Sequence, residues 1–504
     1  MKIRLSSKLV AAIVLFSGLA SGALDSLPAF QQRGSQKPKR TSSLLINPDA
    51  QPDLPTAKAA TAAASAAGLN LDDIQGDILQ KNQELFYFFS IANATAFKPK
   101  LASEILPLIT TTTELLDVST QPITVLNIAF SQRGLTALNV TTSLGDASFA
   151  HGQLADISTL GDPGSTNWVP QFAGTSVHGV LLFASDTVDN INDAVSSLES
   201  ALGDSITKVY SLAGAARPVA GTEHFGFQDG ISNPAVTGFT AAPLPGQFVV
   251  PAGVILVGET GDTSASARPA WAKDGSFLVF RQLKQLVPEF NKFLADHPIV
   301  EDGLTAQQGS DLLGARMVGR WKSGAPVDLA PRFDDPALGA DPTRNNNFTF
   351  SHPDAVLTTN QTRCPFAAHI RKVRPRADLG TPENTVRAIM RSGIPYGLEV
   401  SDEEAASNTT STERGLAFVA YMSNPSNGFR FLQQAWANNP NFAHAGVGVD
   451  PIIGSLVGAE RVITGLDPTN SNVTTTLTTD FIISRGGEYF FSPPLSAITS
   501  TLSV

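Results

Sequence analysis

Cysteine occurs once in the 504 residues, at Cys364, so no intramolecular disulfide can form and stability must come from packing and from any bound group. After the first 23 residues no stretch approaches ~20 uninterrupted apolar positions, which excludes a membrane-spanning helix from the expected architecture. No basic block exceeds a few residues and the formal charge is −10, which argues against a nucleic-acid partner. The chain has no G-x-S-x-G elbow, no H-E-x-x-H pair and no C-x-x-C-H attachment sequence. These absences weigh against a serine hydrolase, a zinc protease and a covalently attached haem. Internal repeats are missing too, so a repeat-built adhesion or structural role has no support.

What is present begins with a secretory pattern. Lys2, Arg4 and Lys8 precede an apolar run from Leu9 to Leu19 and the small residues Ala20-Ser21-Gly22-Ala23, so residues 1–23 read as a signal peptide and the protein as secreted and extracellular. Residues 24–67, with Lys37-Pro38-Lys39-Arg40 and an Ala/Thr/Ser run, read as a pro-segment or linker. N-glycosylation sequons begin at Asn93, Asn139, Asn347, Asn360, Asn408 and Asn472 and mark surface loops. The remaining length is enough for two core-bearing units, taken as residues 68–276 and 277–504, since single cores rarely exceed ~250–300 residues.

Apolar β-rich runs at 85–91, 123–130, 177–184 and 206–212 alternate with helical patterns at 99–109 and 187–202. The order is β-α-β-β-α-β, a ferredoxin-like split βαβ unit with an antiparallel sheet, carrying a long insertion at 131–176 with a short helical pattern at 134–139. The second unit predicts strands at 277–283 and 415–423, helices at 288–296, 305–321 and 425–437, and a hairpin over 480–492 turned at Gly486-Gly487. A helix starting at Thr381 and stopped at Gly393 is expected to put Arg387 and Arg391 on one face. The fold class is therefore α+β, two ferredoxin-like halves.

Three stretches carry chemistry. Cys364 to Arg376 places His369 between apolar residues and a cluster of cations, which suits either a buried metal ligand or a core histidine on a solvated basic segment. An iron porphyrin needs an axial imidazole nitrogen, apolar walls and cations for its two propionates, and this stretch can supply all three. Gly226-Phe227-Gln228-Asp229-Gly230-Ile231-Ser232-Asn233-Pro234 holds a carboxylate in a glycine-bounded turn, after His224 and Phe225. Arg387 to Gly397 supplies two further arginines.

In order along the chain, these stretches resemble the dye-decolourising peroxidases, a haem family marked by a G-x-x-D-G turn, in its secreted fungal branch. The resemblance runs from about Leu69 to the C-terminus and includes 84–91 and 483–493. It implies one non-covalent haem b per chain, held in the second unit near the junction of the two. His369 would be the axial ligand, Asp229 the proton acceptor for hydrogen peroxide, and Arg391 the cation stabilising the charge that develops. Asp450, in Gly448-Val449-Asp450-Pro451, would accept from the other ring nitrogen of His369, or else serve only as a turn residue. Arg376 is the expected propionate partner, with Arg371 and Arg374 as substitutes. Leu416 and Phe418 would wall the peroxide side, or simply pack in the core. Tyr396 and Trp436 match surface positions through which the family oxidises bulky dyes, in a chain with only 4 Trp and 5 Tyr. The expected activity is peroxide reduction with oxidation of phenols, aromatic amines and dye-like compounds through high-valent iron, by a monomer. The rival readings are a secreted haem carrier with little turnover and a cofactor-free hydrolase using Asp229 with His224.

Overall fold

The computed structural model of the protein describes residues 57–77, 81–116, 121–240 and 242–504. The secretory pattern of residues 1–23 and the basic processing stretch lie outside the described residues. Strands β1 (Gln83–Ile91), β2 (Val125–Phe130), β3 (Gly179–Ser185) and β4 (Ile206–Ala215) form an antiparallel set in the order β2-β3-β1-β4. Helix α1 (Ala94–Lys100) follows β1, and α2 (Val188–Leu202) links β3 to β4. Both helices start on a side-chain cap: Asn93 accepts from Ala96 N–H and Thr187 from Asn190 N–H. The cap at Asn93 explains why α1 begins five residues before the expected Pro99.

A second set repeats the plan. Strands β5 (Ser276–Gln285), β6 (Ile394–Gly397), β7 (Arg414–Met422) and β8 (Ile482–Ser492) pair in the order β8-β5-β7-β6, the same spatial order as the first four. Helices α3 (Val287–Asp296) and α4 (Ala306–Val318) follow β5, and α4 opens on a capping box between Thr305 and Gln308. The two sets join edge to edge at Phe130–Phe491 and at Gly214–Tyr396. The eight strands therefore close into one barrel.

Every strand sends side chains into the barrel. Phe86 and Phe88 from β1, Leu182 from β3, Leu278 and Phe280 from β5, Val419 from β7 and Phe490 from β8 form one buried cluster. The Phe280 ring lies 5.0 Å from that of Phe86 and 4.9 Å from that of Phe88. Alternate residues Tyr87, Phe89, Leu126 and Ile128 face outward into a second cluster that α1 and α2 cover. Both faces are apolar, which is why β1 and β2 read as continuous rather than alternating runs.

Four expectations are corrected. The stretch 480–492 is one bulged strand, not a hairpin: Gly486, at φ +93, lets β8 skip register between Ser484 and Gly487 and continue along β5. The strand missing from the expected plan is β6, too short to stand out by pattern. The arginines of 387–391 do not share a helical face, because helix α6 (Thr381–Val386), which follows the short α5 (His369–Val373), ends at Val386 and Arg391 pairs in extended form with Ala420 on β7. Finally, the end of the supposed linker, Ala57–Ala67, is a helix with Ala60 and Ala64 buried in one cluster with Leu69, Leu71, Val236 and Val250.

Phe280 is fully buried, so Phe280→Ala should cost about 3–5 kcal/mol of stability, measured by denaturant unfolding of the haem-free protein.

Candidate active site

Three irregular connections converge on the outer face of the second strand set. The loop leaving β4 carries Asp229, the excursion between α4 and β6 carries His369, and the residues just before β6 carry Arg391. All three line one cavity, together with Leu416 and Phe418 from one face of β7, Ile370, Val318 and Ile452. The same cavity receives Arg320, Arg374 and Arg376.

His369 opens helix α5. Its Nδ1 lies 2.7 Å from Asp450 Oδ2. Asp450 is fully buried and its other oxygen accepts from the Ile452 and Ile453 N–H groups. A carboxylate can only accept, so the network assigns the hydrogen to Nδ1 and leaves the Nε2 lone pair for a ligand bond. Burial opposes a charged imidazole here, but the Asp450 carboxylate outweighs it and holds the His369 pKa above its ordinary value.

Arg391 Nη1 donates directly to Asp229 Oδ1, which also accepts from Gly230 N–H at 2.6 Å. Oδ2 of Asp229 makes no hydrogen bond with the described residues. Burial works against the charge, but Arg391 and the Gly230 N–H keep the carboxyl below its ordinary pKa. The turn around Asp229 needs glycine at two points, Gly226 at φ +94 and Gly230 at φ +85. Glu223 ties that turn from within: its carboxylate accepts from the Phe225 and Phe227 N–H groups, each at 2.9 Å.

The cations divide by their partners. Arg371 is locked on Asp378 by two hydrogen bonds and donates to the Cys364 carbonyl, so it is not available to the cavity. Arg376 donates to the Asn346 and Phe348 carbonyls and lies 3.8 Å over the Phe348 ring. Arg374 stacks 3.7 Å over Phe248, and its Nη2 is buried with no partner among the described residues. A free imidazole nitrogen, apolar walls and an arginine with an unused buried donor fit a haem and its propionates.

Tyr396 and Trp436 do not lie at the surface. Tyr396 points into the barrel from β6, with its hydroxyl 3.2 Å from Glu413 Oε1. Trp436 is buried under Phe442, whose ring stacks on it at 4.8 Å and 8°. His224 is no partner of Asp229: burial pushes its pKa down to about 4, and its Nε2 meets the Tyr396 carbonyl at 2.9 Å. Of the sequon asparagines, Asn360 is half-buried and the other five are exposed.

A family model described as the DyP dimeric alpha+beta barrel domain matches residues 73–218, and one described as Dyp-type peroxidase, C-terminal, matches residues 222–443. The chain belongs to the dye-decolourising peroxidase family. It is thus a haem-dependent peroxidase, and its closed barrel is the family's fold. It is 59% identical to Peroxidase 2 of Mycetinis scorodonius over 97% of this chain and 99% of that one. It is 53% identical to a dye-decolorizing peroxidase of Auricularia auricula-judae over 97% of this chain and 98% of the relative. A crystal structure of a decolorizing peroxidase from the latter organism superposes with a TM-score of 0.83 at 55% identity, covering 86% of this chain and 100% of that one.

Sequence reasoning missed Glu223, Arg320 and Asn233 in this peroxidase. A polar residue at each end of the glycine-bounded turn was the only signal available for the first and last. Cys364, inside the histidine stretch, is fully buried, and burial pushes its thiol up to about 12. A thiol reagent at pH 8 should therefore label the native protein not at all and the unfolded protein once.

Proposed function

We propose that the protein uses hydrogen peroxide to oxidise phenols, aromatic amines and bulky dye-like compounds, with one haem b bound non-covalently through His369. The observation that carries this reading is the direct Asp229–Arg391 contact on the same cavity that His369 lines. Binding haem alone would require neither group.

When bound, haem would supply the centre at which peroxide is reduced and to which the aromatic substrate then gives up single electrons. Asp229 takes the proton from one peroxide oxygen at its free Oδ2 and returns it to the other as that oxygen leaves as water, general acid–base work typically worth about 10²–10⁴-fold. Arg391, already aimed at this place by Asp229, stabilises the negative charge on the departing oxygen without reorganising. Leu416 and Phe418 narrow the approach, so a small oxidant enters more readily than a dye. Asp450 holds the His369 ring in one orientation and one tautomer and raises its basicity. Arg374 and Arg376 are the partners for propionates.

Secretion fits the N-terminal pattern and the exposed sequons. Among the described residues no helix is long and apolar enough to cross a membrane. One chain contains every group the reading uses, so a monomer suffices.

On adding one equivalent of peroxide, the Soret band of the purified protein should change within the mixing time; a band that ignores peroxide would instead indicate a haem carrier. Asp229→Asn should keep the resting band and slow that change by about 10²–10⁴-fold. Because the Asp229 pKa is depressed, the base form is present above that depressed value and lost only as pH falls through it. The peroxide rate should hold steady from neutrality through the ordinary aspartate range and fall only below it, as stopped-flow at stepped pH would report. Asp450→Asn should weaken haem retention by about 10–100-fold, read by competition with an apoprotein acceptor.

A further inference from the structure

Asp229 and Arg391 stand 162 positions apart in the chain, on a loop and on a two-residue strand. Their own contact does not explain what fixes one relative to the other. Arg391 faces Ala420 of β7, while the hydrogen bond on that side is made by the next residue, from Ser392 N–H to the Val419 carbonyl at 2.9 Å. The N–H and C=O of Arg391 are taken instead by a side chain. Asn233 Oδ1 accepts from Arg391 N–H at 3.0 Å and Asn233 Nδ2 donates to Arg391 C=O at 3.0 Å. One amide thus makes both bonds that a neighbouring strand would make.

Asn233 lies four residues after Asp229 on the same loop and is buried. Pro234 follows it and restricts its backbone to extended conformations, and Gln247 Nε2 reaches its carbonyl. The loop bearing the carboxylate is therefore fastened to the main chain of the arginine itself. We propose that Asn233 is a positioning residue for peroxide activation, setting the Asp229–Arg391 geometry through the Arg391 backbone. The inference rests on the roles proposed for those two residues. Loss of the amide leaves two backbone groups without partners and frees the strand to shift, and a misplacement of about 1 Å can cost about 10²-fold in rate.

The first measurement is amide hydrogen exchange in the holoenzyme, which reads the clamp whether or not the catalytic roles hold. Asn233→Ala should speed exchange of the Arg391 amide at least tenfold relative to that of Ser392, whereas Asn233→Asp, which keeps the acceptor, should protect it. The second is the bimolecular rate with peroxide in the holoenzyme. Asn233→Ala should lower it at least tenfold with the KM for an aromatic reductant unchanged, and should cost less than twofold more in an Arg391→Ala background. Unchanged Arg391 exchange, or an equal loss in both backgrounds, overturns the proposal. If Asn233→Ala does not fold, Asn233→Asp carries the test: it lacks the donor to Arg391 C=O, so its rate should fall at least threefold in the wild-type background and not in Arg391→Ala. An Asp229→Asn variant with a wild-type peroxide rate would refute the catalytic roles while the exchange result still stood.

Discussion

Opposite charges cannot be left apart in an apolar cavity. Removing a carboxylate or a guanidinium from water costs several kcal/mol per ion, and mutual contact with further hydrogen bonds offsets that cost. Asp229 and Arg391 meet for this reason, and both still face the cavity over about a third of their side-chain surface. The glycine turn, the Glu223 carboxylate beneath it and the Asn233 amide beside it can all be understood as parts that hold this one pair in place. On the other side the same rule acts through Asp450, which has no water contact and completes its hydrogen bonding with His369 and two backbone N–H groups.

The barrel makes such an arrangement possible by keeping its own affairs inside. Its interior is closed by aromatic rings, so the outer face of β5, β7 and β8 is free to serve as a wall. Leu283, Leu416 and Phe418 offer a flat apolar surface that regular strand spacing fixes. The polar machinery comes from irregular segments laid over that wall, where backbone turns can aim a carboxylate or an imidazole in directions a strand does not allow. Rigid wall and shaped loops divide the work of packing and chemistry between them.

How much of this the sequence disclosed follows the same division. The β-α-β-β-α-β order of the first half was legible because 85–91 is a long apolar run, 206–212 is rich in β-branched and aromatic residues, and Thr187 caps an amphipathic helix. His369, Asp229 and Arg391, which line one cavity, stood out as candidates because each sits in a distinctive local stretch. The second half was harder to read: β6 has four residues, and Gly486-Gly487 has the composition of a hairpin turn while acting as a bulge whose meaning depends on β5 alongside. The clamp at Asn233 depends on a partner 158 positions away, and no local pattern encodes it. Tyr396 and Trp436 were placed at the surface by resemblance, whereas burial is set by what covers them, the closed barrel in one case and Phe442 in the other.

Barrel closure has a further consequence. The outermost strands of a ferredoxin-like sheet expose unpaired backbone groups that invite other chains to add on. Here each half shields the other, through Phe130 with Phe491 at one seam and Gly214 with Tyr396 at the second. A chain with one buried thiol has no disulfide to guard it against self-association. The seams give it a topological safeguard instead: where the ring is shut, at Phe130 and at Gly214, the joined strands offer no growing edge to a fibre.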